Sequence, residues 1–145
     1  MSTGTESEEE WCAAQRAVVG QYLDGQHVAH GQVGEWPAWH HQPYIAIWAI
    51  ESLHAPGWVG WWAISGDLPT DHISSSSLEN PRAALAAFAR RWAEAASHMS
   101  RGESPPGMAI GTPSEWAHLA PLLQSRALLL EQWAADEALW KNDAA

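Results

Sequence analysis

The sequence predicts an α+β chain: a central antiparallel β-hairpin or three-stranded sheet, covered by an N-terminal helix and two or three C-terminal helices. Three observations carry this. Residues 44–65 hold two short apolar runs separated by turn residues. Residues 81–99 carry a clean 3.6-residue apolar stripe. Six of the eleven tryptophans (Trp36, Trp39, Trp48, Trp58, Trp61, Trp62) lie between Trp36 and Trp62, which marks that stretch as the part the helices cover.

Residues 1–7 read as a disordered tail and 8–141 as one α+β domain. From Glu8 the acidic first turn suits the helix macrodipole. Trp11, Gln15, Val18 and Tyr22 share one face, widened by Ala14, Val19 and Leu23. Gly25 is placed to end this helix. Residues 26–42, with Gly31, Gly34 and Pro37, read as an irregular connection that acts as a lid or a plug. YIAIWAIES (44–52) is apolar on both alternating sets, as a strand buried on both faces is. WVGWWAIS (58–65) returns antiparallel, with Gly60 marking a bulge or a bare patch of backbone under an indole. An isolated hairpin is marginal in water, so a third short strand is expected at 71–73.

After a serine linker at 74–77, Asn80 is a good N-cap and Pro81 suits the first helical position. Leu85, Phe88, Ala89, Trp92, Ala96 and Met99 form that helix's stripe. Gly102, Pro105 and Pro106 end it, and a brief apolar MAI (108–110) could add an edge strand. TPSE (112–115) has capping-box form. Pro121 predicts a break, giving a short helix to about His118 and a second from 121 to about 134. Leu122, Leu123, Leu129, Leu130 and Trp133 would pack the second onto the sheet, and 136–141 adds a last amphipathic turn.

The motifs GEWPAWH, WAIES, PGWVGWWAISGDLPTD, NPRAAL and GTPSEWAHLAPLLQSRA together resemble the DUF4826 family of small bacterial proteins, over about residues 11–140. The resemblance implies a bacterial origin and a single-domain chain. It transfers no activity and no catalytic residue.

A net charge of −10 repels phosphate backbones and attracts basic partners, so nucleic acid is not an expected ligand. The same charge also keeps a tryptophan-rich chain soluble. Cys12 is the single cysteine, which fits a reducing cytoplasm and excludes an intrachain disulfide or a cysteine-rich zinc site. No apolar run reaches membrane-spanning length and no signal peptide opens the chain. No cofactor motif is present, so none is expected.

The acidic turn at 65–72 is the best candidate for chemistry. Asp67, Asp71 and His72 could act as acid and base, with Glu51 assisting, or could hold a metal together with His40. No metal-ligand spacing is matched. The alternative is structural, with Asp67 closing an Asx-turn and Asp71 capping backbone donors. Glu51 at the strand's end is expected to be exposed, to meet an arginine such as Arg82, or to lie in a pocket with a raised pKa. Adjacent His40 and His41 should point in opposite directions. Trp48, Trp62, Trp92, Trp116 and Trp133 read as core. Trp36, Trp39, Trp58 and Trp61 are candidates to line a binding surface with His40 and Arg82. Two function classes follow: a non-catalytic cytoplasmic binding protein, regulatory or immunity-like, meeting an unknown protein or small-molecule partner of basic character; or a small metal-dependent or acid/base hydrolase using Asp67, Asp71 and His72.

Overall fold

The computed structural model describes residues 7–41, 43–108 and 110–140. It is an α+β fold: an N-terminal helix, a four-stranded antiparallel sheet, then two long C-terminal helices. The chain divides into two compact units, Met1–Ala84 and Leu85–Ala145.

In the first unit, α1 (Glu8–Gly25) begins at a reciprocal capping box. The Ser7 hydroxyl accepts from the Glu10 amide at 3.1 Å, and the Glu10 carboxylate accepts from the Ser7 amide at 3.4 Å. Ser7 is therefore the cap of the helix and not part of a tail; residues 1–6 lie outside the described residues. The helix runs through Gly25, and His27 closes it in the left-handed region at φ 58°. The Val28 amide donates to Leu23 O and the His27 amide to Asp24 O, the two bonds of a Schellman motif. The buried stripe is Trp11, Cys12, Val19 and Leu23, while Val18 is 41% exposed and Ala14 is exposed. It is centred on Cys12 and Val19, rotated from the face expected because Cys12 behaves as a small hydrophobe.

The sheet has strand order β1 (Trp39–His41), β2 (Ile45–Glu51), β3 (Val59–Gly66), β4 (Asp71–Ser74), all antiparallel. The β2–β3 hairpin is its centre and β4 is the third strand expected. β1 adds a fourth, inside the segment that reads as irregular connection. Three residues cannot show a two-residue period, so β1 left no pattern in the sequence. Between Ile50 and Glu51 the register shifts, leaving Gly60 as the extra residue of a bulge. A Cβ there would stand 2.8 Å from Ser52 Cα, so the bulge needs glycine. Ala46, Trp48, Ile50 and Ala63 face α1 and join its stripe and Val33 in one core cluster. Ile45, Ile47, Trp62 and Ile64 on the opposite set are buried too, which is why β2 reads apolar on both alternations. The serines after β4 form no linker. Ser75 bonds back to β3 through Gly60 O (3.1 Å) and Val59 O (2.7 Å), and Ser77 turns at φ 66°. Asn80 then caps α2 (Pro81–Ser100), its side chain accepting from the Ala83 amide at 2.8 Å.

In the second unit, α2 buries Leu85, Phe88, Ala89, Trp92, Ala95, Ala96 and Met99, and ends at Gly102 with φ 73°. Met108 and Ile110 carry no strand, and Ala109 lies outside the described residues. The Ile110 carbonyl instead accepts from the Trp116 indole at 2.9 Å. The capping box at Thr112 and Glu115 opens one 3-10 turn (Pro113–Glu115), and α3 (Trp116–Ala135) continues unbroken. Pro121 does not split it. Proline's φ suits a helix, and the acceptor it leaves without an N–H, on Ala117, lies on an exposed side where water can serve it. With the helix phased from Trp116, the buried stripe is Trp116, Ala120, Leu123, Ala127 and Leu130. Leu122 is 54% exposed and Trp133 only half-buried, so both leave the expected core. A short α4 (Glu137–Trp140) buries Trp140, whose indole donates to Trp133 O at 2.9 Å.

Candidate functional site

Antiparallel register decides which candidate residues can meet. His72 pairs with Ala63 and His40 with Ala46, so both imidazoles lie on the α1 face. They sit on opposite edge strands, three strand spacings apart, or about 14 Å at the usual 4.7–4.9 Å per strand. One metal ion cannot bridge that distance. Among the described residues, no group of three or more His, Cys, Asp or Glu side chains could hold a metal ion.

At the β4 edge, Tyr22 from α1 meets the acidic turn. Its hydroxyl lies 2.8 Å from His72 Nδ1 and 3.5 Å from Asp71 Oδ1. The same carboxylate oxygen accepts from the His72 amide at 2.8 Å. The Tyr22 and Trp61 rings stand edge-on to the imidazole, each 5.5 Å away between centroids. Asp71 is buried and His72 half-buried. Asp67 is exposed after the end of β3, its amide donating to Tyr44 O at 2.9 Å. The turn thus brings Asp71 and His72 together with Tyr22, a partner no local motif announces because it comes from 49 residues upstream. A carboxylate, an imidazole and a phenol are acid/base chemistry in kind. Here they bond to one another across the α1–β4 contact.

Backbone amides rather than an arginine hold Glu51, and beside the hollow it lines with Trp58 its pKa is lowered, not raised. Its carboxylate accepts from the Gly57 amide at 2.9 Å and the Gln32 amide at 3.3 Å. Those two bonds, Gly57 first, hold its pKa below the ordinary value of 4.5, against a small opposing effect of burial. Backbone bonds run alongside: the Gly31 amide to Glu51 O and the Glu51 amide to Gln32 O, both 2.9 Å. A Cβ on Gly31 would come within 2.8 Å of Glu51 Oε1. Glu51 therefore clamps the hairpin loop and the 31–34 segment to the end of β2.

At the β1 edge, His40 lies 3.5 Å from Glu8, stacks on Trp11 at 6.2 Å and receives Trp36 edge-on at 5.7 Å. His41 faces the other way, as adjacent strand residues must. Trp39 is buried and so lines no surface, whereas Trp36 is 46% exposed. Trp36 forms one wall of a groove of about 620 Å³ between α1 and residues 30–36. Trp58 is 75% exposed at the hairpin loop, beside a shallower hollow of about 300 Å³ that it lines with Val59, Glu51 and Gly57. Trp61 is half-buried, its indole donating to Ala29 O at 3.3 Å. Arg82 is half-buried in the first turn of α2.

Sequence reasoning missed the groove because α1 contributes to it from a flank. Ala13, Ala17 and Gly20 fall outside the buried stripe, and small residues outside a stripe read as plain helix surface.

No curated protein and no solved structure matches the chain. A family model described as a domain of unknown function, DUF4826, matches residues 5–140. That match spans every secondary-structure element of the described residues, from α1 to α4. The chain belongs to the DUF4826 family.

Proposed function

We propose that the protein is a non-catalytic binding protein of the cytoplasm, regulatory or immunity-like in type, whose acidic, indole-bearing surface meets a basic partner. One observation carries the reading: Trp58 and Trp36 stand 75% and 46% exposed on a chain of net charge −10. Indoles are the costliest side chains to leave in water and the commonest anchors of interfaces. Acidic surroundings give such anchors a preference for cationic partners, through steering and through attraction of a cation to the ring face.

The test is titration with a lysine-rich peptide at low and high salt, using wild type and the double variant Trp36→Ala/Trp58→Ala. The reading expects saturable binding that weakens with salt and is largely lost in the double variant, with an unmoved urea midpoint. Absence of saturable binding, or equal binding by the double variant, overturns it.

The alternative is an acid/base hydrolase at Asp71 and His72, and the 2.8 Å approach of the Tyr22 hydroxyl to His72 is what favours it. It requires that Tyr22→Phe abolish turnover of some ester or amide substrate by the purified protein.

A further inference from the structure

Resting on the binding reading above, we infer that the groove between α1 and residues 30–36 is the seat of the basic partner, taking a lysine or arginine side chain at the end formed by Glu9, Glu35 and Trp36. All three residues line this groove.

The contacts give the groove a direction. His30 reaches Asp24 near the end of α1 at 3.4 Å, Arg16 in its middle donates to Val33 O and Gly34 O at 2.8 and 2.9 Å, and Trp36 touches His40, which pairs with Glu8 at its start. The segment therefore runs antiparallel to the helix. One end of the groove is closed by His30 and Gly20, the other by an exposed indole and two carboxylates.

The floor of Ala13, Ala17 and Gly20 lets an occupant lie close, and a Cβ on Gly20 would meet nothing within 4 Å. Backbone pairing is not the means of recognition. The Gly31, Gln32 and Gly34 amides are bonded to Glu51 O, Glu51 Oε1 and Ala49 O, and the Val33 and Gly34 carbonyls to Arg16. What remains for a ligand is side-chain chemistry: a ring face, two carboxylates and an apolar floor for an aliphatic stem. The half-buried Arg16 charge, with Nε and one Nη committed to those carbonyls, repels a second cation from mid-groove and directs it to the Trp36 end.

The experiment is calorimetric titration at physiological ionic strength, where the screening length is about 8 Å and distant charges contribute little. The probe is a short lysine-containing peptide, with its lysine-acetylated form as control. Trp36→Ala and the pair Glu9→Gln/Glu35→Gln should each weaken binding by roughly tenfold, and acetylation should do the same. Trp36→Phe, which keeps a ring of weaker cation affinity, should lie between. Trp58→Ala should weaken binding less than Trp36→Ala does, and the charge-matched pair Glu79→Gln/Glu131→Gln should change it less than about twofold, since neither of those carboxylates lines the groove. If the peptide binds wild type but the loss follows Trp58, or the two charge pairs weaken it equally, the groove assignment is overturned while the basic-partner reading stands. If wild type does not bind the peptide, both fail together.

Discussion

Ser65 and Trp48 are both fully buried, and the indole donates to the serine hydroxyl at 3.1 Å across the β2–β3 hairpin. Removing that acceptor would leave an N–H unpaired in the core, so Ser65→Ala should cost about 1–3 kcal/mol, read as a lower urea midpoint at unchanged slope. Glu51 makes a prediction of a different kind. Its folded pKa is depressed by the Gly57 and Gln32 amides, so its contribution to stability is present above the ordinary value of 4.5 and is lost as pH falls through the lower folded value. Glu51→Gln should therefore be less stable than wild type at neutral pH, with the difference shrinking as pH drops below 4.5. Denaturation midpoints across that range check it, and a pH-independent difference would contradict the assignment. Trp48 and Trp62 were legible as core because strand alternation placed them. Trp39 was not, because the strand carrying it is too short to show alternation.

Helix ends and a helix interior account for the main departures at the scale of elements. The end of α1 is set by His27 in the left-handed region, where a Cβ is penalised. Its motif bonds do not need the side chain, so His27→Gly should stabilise by about 1 kcal/mol, measured by thermal or urea unfolding. Gly25 looked like the terminator because glycine is the usual signal, and a histidine in that role leaves none. In α3, Pro121 lies well inside a 20-residue helix. Pro121→Ala should restore a bond to Ala117 O and raise stability by about 1–3 kcal/mol, less whatever proline gains by restricting the unfolded chain. A break at Pro121 was the natural reading of the sequence. What overrode it is the phase from Trp116 to Leu130, which keeps five buried residues on one stripe only if the helix is continuous. By contrast, the hairpin, the bulge at Gly60, the Asn80 cap and the α2 stripe were all legible. Each rests on local chemistry: alternation, a missing Cβ, a capping side chain, a 3.6-residue period.

For the molecule as a whole, the candidate site was half-legible. The sequence marked Asp71, His72 and Trp36, but Tyr22 and the groove exist only because α1 crosses the sheet from the His40 edge to the His72 edge. Hydrogen bonds within each compact unit set some indoles apart from others. The Trp48, Trp62, Trp116 and Trp140 indoles donate to Ser65, Leu78, Ile110 and Trp133 within the fold. Trp36 and Trp58 stand in water. Each indole N–H gives its own nuclear magnetic resonance signal, so titration of the uniformly labelled protein with a lysine-rich peptide separates the two groups directly. The Trp36 signal should move progressively and saturate, with any Trp58 change smaller, while the signals of Trp48, Trp62, Trp116 and Trp140 stay in place. Saturating shifts confined to Trp61, Tyr22 and His72, with Trp36 unmoved, would contradict the binding surface and turn attention to the acid/base cluster.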